Sequence, residues 1–281
     1  MAETSDSLSR PRQILDMLRP GQIWRSGEEI AIRLGISRAA VAKHVAGLRG
    51  QGHAIASAPR KGYLLLALHQ PLDGPALRAR LETALVGQGD WRVMASTTST
   101  NNDAVIWALE GARPGSIVWA ENQTKGRGCK GSNWFSSPRG MMFSLILRPD
   151  FNDAQLHRLT MTAAQALAAA IADCLPLIPQ LKAPNDVLIR GRKVGGVLVE
   201  TGRQAGGGKW AVIGIGCNVN ALADELPPAL EATSLFLESG LILERDRLLG
   251  RVLFHLDKGW YGGSRKMRIR KQADRIGQKR N

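Results

Sequence analysis

Cysteine is scarce in this chain of 281 residues. There are three, Cys129, Cys174 and Cys217, and they lack the paired spacing of a zinc site. That excludes a disulfide scaffold and a thiolate metal centre and fits a reducing compartment. An apolar leader is also missing, since the chain starts Met1-Ala-Glu-Thr-Ser-Asp-Ser7. No apolar run is long enough to span a bilayer. The nearest, Leu159 to Ile178, is interrupted by Thr160, Thr162, Gln165, Asp173 and Pro176 and reads as a core helix. No internal repeat is evident. The expectation is a cytoplasmic protein with no membrane partner.

What is present is an ordinary globular composition, 44% hydrophobic, with positive charge in excess. The formal net charge is +14, and residues 262–281 carry half of it, with eight Lys or Arg against one Asp. Only the remainder bears on nucleic-acid binding by the folded part.

Residues 12–49 read as helical, because Ile14, Leu15 and Leu18, then Ile30, Ile32 and Leu34, fall at helical spacing. Ser26 is placed to cap the second helix, with Glu29 completing a capping box. Gly35 breaks that helix and Ser37 can cap a third. There Val41, Val45 and Leu48 share one face, which leaves Arg38, Lys43 and His44 toward solvent. Helix, glycine turn and a helix with exposed cations form a helix-turn-helix pattern. The stretch Ala54 to Leu66 then reads as a two-stranded wing with its tip at Arg60-Lys61. Residues 25–61 hold seven Lys or Arg against two Glu, a net +5 that leans toward DNA. The expected unit is a winged helix-turn-helix over residues 1–66, with Ser26, Ser37, Arg38, Lys43, His44, Arg60 and Lys61 as candidate DNA contacts. The plainer reading is a small helical domain with solvated charges. Pro71 and Pro75 mark a linker over 67–82.

Beyond the linker, strands are expected at residues 117–120, 142–147, 197–200 and 210–215. Asn152 or Asp153 can cap a long helix with Leu156, Leu159, Ala163, Leu167, Ile171 and Cys174 on one face. The fold class that follows is α+β, with helices on a mixed sheet over residues 83–256. Residues 257–281 lack apolar alternation and read as a basic, disordered tail.

Two segments carry chemistry. A basic glycine-rich loop runs Gln123-Thr-Lys-Gly-Arg-Gly-Cys-Lys-Gly-Ser-Asn-Trp134. A hairpin about fifty residues later runs Lys182-Ala-Pro-Asn-Asp-Val-Leu-Ile-Arg-Gly-Arg-Lys193-Val-Gly-Gly-Val-Leu-Val-Glu200. The loop can offer backbone N–H groups and cations to a phosphate chain. The hairpin, turning at Arg190-Gly-Arg192, can aim Lys193 at the same spot. Taken singly, each piece has an ordinary role: Ser99-Thr100-Asn101 as a helix cap, Gly126-Arg127-Gly128 as a surface loop, Lys193 as a solvated lysine, Asp186 as a turn former.

In order along the chain, Ser99-Thr-Asn101, the loop, the hairpin and Gly214-Ile-Gly-Cys-Asn-Val-Asn220 together resemble the biotin–protein ligases, over roughly residues 88–255. The N-terminal region is similar to the DNA-binding domain of the bifunctional ligase-repressors. The resemblance implies two-step acyl transfer. Biotin and ATP give biotinyl-AMP and pyrophosphate, and a lysine of a biotin carboxyl-carrier protein then takes the biotinyl group. It implies Ser99, Thr100, Asn101, Gln123, Arg127, Gly128, Cys129, Lys193 and Gly196 as the biotin site, with Lys193 and Arg127 catalytic. It also implies Lys130, Trp134, Asn185 and Asn218 on the nucleotide side, Asp186 at Mg²⁺, operator DNA as a partner, and a homodimer when biotinyl-AMP is bound.

Four departures from the family pattern stand out. Cys129 replaces the loop's second arginine and has no fixed charge to offer. Ser132 replaces a third basic residue while Lys130 keeps one nearby. Ala183 replaces a tryptophan. No strands matching the family's C-terminal SH3-like barrel follow Leu256. The alternatives are a ligand-sensing transcription regulator with a degenerate ligase domain, or a lipoate or octanoate ligase-transferase. The latter would need a more apolar pocket than Ser99-Thr-Asn101 suggests.

Overall fold

In the computed structural model, residues 9–19, 23–149, 156–204, 207–227 and 231–262 are described. The N-terminal part runs α1 (Arg10–Leu18), α2 (Gly27–Leu34), α3 (Arg38–Gly50), β1 (Ala54–Ala58) and β2 (Gly62–Ala67). Its local chemistry is as the sequence implies. Ser26 Oγ accepts from the Glu29 N–H at 3.0 Å and Ser37 Oγ from the Ala40 N–H at 3.1 Å. The Glu29 carboxylate does not complete the box; it pairs with Arg25 instead. Gly35 closes α2 with φ +63°, the left-handed conformation that favours glycine. Ile14, Leu18, Ile30, Val41, Val45, Leu48 and Ile55 form a separate core. Ile32, expected among them, is 76% exposed, because two residues along a helix from Ile30 is its opposite side.

After α4 (Gly74–Ala79), which lies within the expected linker, the chain builds one seven-stranded sheet. Its strands are β3 (Trp91–Met94), β4 (Ser116–Ala120), β5 (Met141–Leu147), β6 (Gln180–Lys182), β7 (Asp186–Ile189), β8 (Arg192–Arg203) and β9 (Lys209–Cys217). The order is β3-β4-β5-β9-β8-β7-β6, with β3 and β4 parallel and every other pair antiparallel.

Period-two alternation divides the sheet's faces. Trp119, Phe143, Leu145, Ile213 and Ile215 face one core with Leu167 and Ile171 of α6 (Leu156–Cys174) and Leu249 and Val252 of α8 (Arg245–Gly262). Val118, Ile146 and Val212 face the other way, against Ala104 and Ala108 of α5 (Thr100–Leu109). The remaining helix, α7 (Leu235–Ser239), lies between β9 and α8. The proposed helix caps Asn152 and Asp153 lie outside the described residues. α8 continues past Leu256 to Gly262, with Asp257 and Trp260 buried, so residues 257–262 are helical rather than part of a disordered tail. The rest of that tail lies outside the described residues.

Candidate active site

The site forms where the α5 face of the sheet is left open. Met142 pairs with Gly216 and Ser144 with Gly214 across β5 and β9; Gly196 and Leu198 of β8 stand beside the same glycines. Glycine makes the room. A Cβ on Gly214 would sit 2.0 Å from Asn101 Oδ1, and one on Gly216 would sit 2.5 Å from the Trp134 ring. The result is a cleft open to solvent. Ser99, Thr100, Asn101, Gln123, Arg127, Gly128, Cys129, Trp134, Asn185, Lys193 and Gly196 all line it, together with Met142, Val197, Leu198, Gly214, Ile215 and Gly216.

One end is polar and neutral. Ser99 is the N-cap residue of α5, yet its hydroxyl does not cap the helix. The Thr100 N–H donates to Gln123 Oε1 at 2.7 Å, and Gln123 Nε2 donates to Ser136 Oγ at 3.2 Å. Beneath the cleft, Ser144 Oγ lies 2.8 Å from Thr100 Oγ1 and 2.6 Å from Asn101 Oδ1.

The glycine-rich loop folds back on itself. Gly128 N–H donates to Ser132 O and Trp134 N–H to Gly126 O. A Cβ on Gly126 would lie 2.7 Å from Trp134 O, so the reversal leaves no space for a side chain there. The Arg127 guanidinium donates to Glu200 Oε1 at 2.6 Å and to Asn102 Oδ1. Cys129 points its thiol at the cleft wall, donating to Val197 O at 3.3 Å. The side chain of Lys130 lies outside the described residues.

The other end is cationic. Arg190 (φ +49°) and Gly191 (φ +80°) make a two-residue turn with both φ values positive, which joins β7 to β8. Buried Glu238 holds that turn through Arg192 at 2.6 Å and Arg190 at 3.3 Å. Lys193 follows at once, its backbone tied on both sides: its N–H donates to Glu231 O and its carbonyl accepts from Thr233 N–H. Its ammonium lies 2.7 Å from Asp186 Oδ1 and 5.6 Å from the centre of the Trp134 ring. Asn185 Nδ2 donates to the same Asp186 oxygen at 3.0 Å.

Asn218 is not brought to the cleft. Its side chain is buried and donates to Thr233 O at 3.0 Å, tying the end of β9 to residues 231–234. Asp186 does not line the cleft either, and the described residues hold no cluster of three His, Cys, Asp or Glu that could bind a metal. Sequence reasoning gives Met142, Ser144 and Glu200 no role and names Gly214 and Gly216 only within a resembling segment, without placing them in the cleft. Their signal is faint: a serine inside an apolar strand and two glycines spaced by two.

On the helix-turn-helix, Arg38 and Lys43 are exposed on α3 and His44 is half-buried beside them. Arg60 and Lys61 are exposed at the wing tip, with Lys61 Nζ 5.8 Å from the Trp24 ring. The Ser26 and Ser37 hydroxyls already serve as caps.

Comparison with known proteins agrees with this layout. Residues 93–220 match the biotin/lipoate A/B protein ligase family, and residues 10–64 match an HTH domain. The bifunctional ligase/repressor BirA of Bacillus subtilis is 35% identical over 243 residues, covering 85% of this chain and 74% of that protein. The protein of the same name from Escherichia coli is 29% identical over 248 residues, covering 88% and 75%. The structure of the biotin protein ligase from Aquifex aeolicus in complex with biotin and ATP superposes with a TM-score of 0.56 at 29% identity, over 63% of this chain and 73% of that one. With a ligase fold around the cleft and a helix-turn-helix ahead of it, the chain belongs to the bifunctional ligase/repressors of the biotin protein ligase family.

Proposed function

We propose that the cleft joins biotin to ATP and passes the biotinyl group to a lysine of a biotin carboxyl-carrier protein, and that the helix-turn-helix represses biotin-synthesis genes when biotinyl-AMP is bound. One observation carries the reading: a neutral donor-acceptor set and a clamped lysine lie at two ends of one cleft. A cyclic urea matches the first end and a carboxylate the second.

In the first step a biotin carboxylate oxygen bonds to the α-phosphorus. The bond from that phosphorus to the bridging oxygen breaks, and its electron pair leaves with pyrophosphate. Both reactants are anions, so the barrier falls when a fixed cation lies where they converge. Lys193 is that cation. Arg127 anchors the loop across biotin, and Asn185, Trp134 and Lys130 are assigned to the nucleotide. In the second step the carrier's neutral amine attacks the acyl carbon, AMP leaves and the amine loses a proton. Mg²⁺ would arrive on the triphosphate, and Asp186, beside Lys193, is the carboxylate that would help hold it. The ion neutralises phosphate charge when bound.

Repression is assigned to a population shift. Biotinyl-AMP orders the loop, favours a homodimer and so favours binding to a two-fold operator. No described helix is long and apolar enough to cross a membrane, which is compatible with the cytoplasmic location expected for an operator-binding protein.

The test is pyrophosphate release by the full chain with biotin and ATP, with lipoate as the competing acid. Release with biotin and little with lipoate is expected, since an apolar chain has no N–H or carbonyl to meet the polar groups that Ser99, Thr100 and Gln123 present to the cleft. Equal release with both acids overturns the biotin assignment. Biotin-dependent operator binding without any release would favour the regulator reading, for which Cys129 in place of the family's arginine is the one supporting observation.

A further inference from the structure

We infer that Glu200 sets the hydrogen-bond polarity of the neutral end of the cleft, as a positioning residue acting through Asn101, Ser144 and Thr100. The inference rests on the reading above that this end receives the urea of biotin.

Asn101 sits on Gly214, between Ser144 of β5 and Leu198 and Glu200 of β8. Shape alone does not orient its amide, because oxygen and nitrogen are nearly the same size. Its neighbours do. Glu200 Oε2 lies 2.8 Å from Asn101 Nδ2 and Leu198 O lies 3.4 Å away, and neither carries a proton. Nitrogen therefore faces β8 and Oδ1 faces Ser144. Oδ1 can only accept, so the single Ser144 hydroxyl proton goes to it at 2.6 Å. The 2.8 Å contact between Ser144 and Thr100 then needs its proton from Thr100. That turns the Thr100 proton toward Ser144, which does not line the cleft, and leaves Thr100 Oγ1 with lone pairs to offer. Gln123 Oε1 is fixed beside it by the Thr100 N–H at 2.7 Å and lies 3.1 Å from Thr100 Oγ1, farther than Ser144 Oγ at 2.8 Å, where the Thr100 proton goes. An incoming N–H matches this end and an incoming carbonyl at Thr100 does not.

Glu200 also receives Arg127 at 2.6 Å on its other oxygen. This makes Glu200→Gln a sharp test. Arg127 can only donate, so it holds the new carbonyl oxygen and the new NH₂ faces Asn101. Asn101 must then flip, Ser144 must donate to Thr100, and the Thr100 proton turns to Gln123 Oε1, 3.1 Å away, where it occupies an acceptor that an incoming N–H would use. Nearly the same atoms stay in place, with the acceptors of this end spent on each other. Adding Asn101→Asp repairs it, because a carboxylate there accepts from both the new NH₂ and Ser144.

The experiment measures biotin affinity by calorimetry, together with KM for biotin and for ATP, on the full chain. Glu200→Gln should weaken biotin roughly 10- to 100-fold, with KM for ATP within about twofold of the parent. Asn101→Asp alone sets two carboxylates face to face and should also weaken biotin. The double variant should return to within about threefold of the parent. In a Ser144→Ala background, where the relay is cut, the Glu200→Gln penalty should shrink to less than about threefold. Biotin affinity of Glu200→Gln within twofold of the parent overturns the inference. So does a loss that the double variant does not recover, which would leave Glu200 acting through Arg127 or packing. A parent that does not bind biotin refutes the functional reading itself, a result distinct from either.

Discussion

At the scale of single residues, the site depends on where three side chains put charge or leave space. Lys193 is the cation proposed to meet the biotin carboxylate. Lys193→Ala should slow biotinyl-AMP formation on the order of 10²–10³-fold while circular dichroism stays that of the parent. A variant that makes biotinyl-AMP at the parent rate refutes its role. Cys129 occupies the loop position where the resembling family has arginine, and its thiol lines the cleft. In the function proposed above, a thiol in place of that guanidinium holds the phosphate end of the intermediate less firmly. Cys129→Arg should slow dissociation of preformed biotinyl-AMP by about tenfold, since a guanidinium adds charge-assisted hydrogen bonds. Equal dissociation rates in two folded, active proteins would defeat this. Gly214→Ala places a methyl group 2.0 Å from Asn101 Oδ1, which must then move. Biotin affinity should fall by more than about tenfold; unchanged affinity would mean that the Asn101 seat is irrelevant to binding.

At the scale of elements, the β7–β8 hairpin and α3 show how local geometry aims a function. The tight Arg190-Gly191 turn starts β8 with Lys193 next to the cleft, and Glu238 locks the turn from behind. On α3, the buried stripe Val41, Val45 and Leu48 rotates Arg38 and Lys43 outward, beside a wing whose tip carries Arg60 and Lys61. Removing one cation from a DNA phosphate should reduce the dependence of log affinity on log salt by about one. Arg38→Ala/Lys43→Ala should therefore flatten that slope by about two on operator DNA. The same slope and affinity in the double variant would remove α3 from the interface.

At the scale of the whole molecule, the two parts meet through Arg139, which stands between the glycine-rich loop and β5. It is 5% exposed and donates to Arg49 O at 2.7 Å and His53 O at 2.9 Å, where α3 ends, while pairing with Glu225. Burial, and then the nearby Arg49, push its pKa down to about 10, so it stays charged at neutral pH. Arg245 of α8 reaches the same junction, pairing with Glu121 at 2.7 Å and donating to Gln70 O at 2.8 Å. Two histidines lie between. Burial pushes the pKa of both His53 and His69 down; Arg19 and Arg139 add to this at His53, and Arg245 at His69, against the opposing pull of Glu121. His53 Nδ1 accepts from the His69 N–H at 3.1 Å, which requires that nitrogen to be unprotonated. Below the ordinary histidine value of about 6.5, the unfolded chain binds protons that the folded chain resists, so stability falls with pH. The thermal midpoint should drop between pH 7 and pH 5.5. His53→Asn, which keeps an acceptor near Nδ1 but cannot titrate, should recover about 2–4 °C of that drop. Identical pH slopes would exclude His53 as a contributor.

Much of this is legible in the sequence because it is local. The Ser26 and Ser37 caps, the Gly35 stop and the Arg190-Gly191 turn depend on neighbours within a few residues, and each is present. Ile32 misleads because two short patterns of apolar residues are counted without their phase. The tail boundary misleads because α8 continues for six residues past Leu256. What only the tertiary structure decided is the floor of the cleft. Ser144, Gly214 and Glu200 lie on three strands, and only their register sets a serine and a carboxylate on either side of a glycine that admits Asn101. Strand pairing joins residues dozens of positions apart, and a shift of one would turn every one of them to the opposite face.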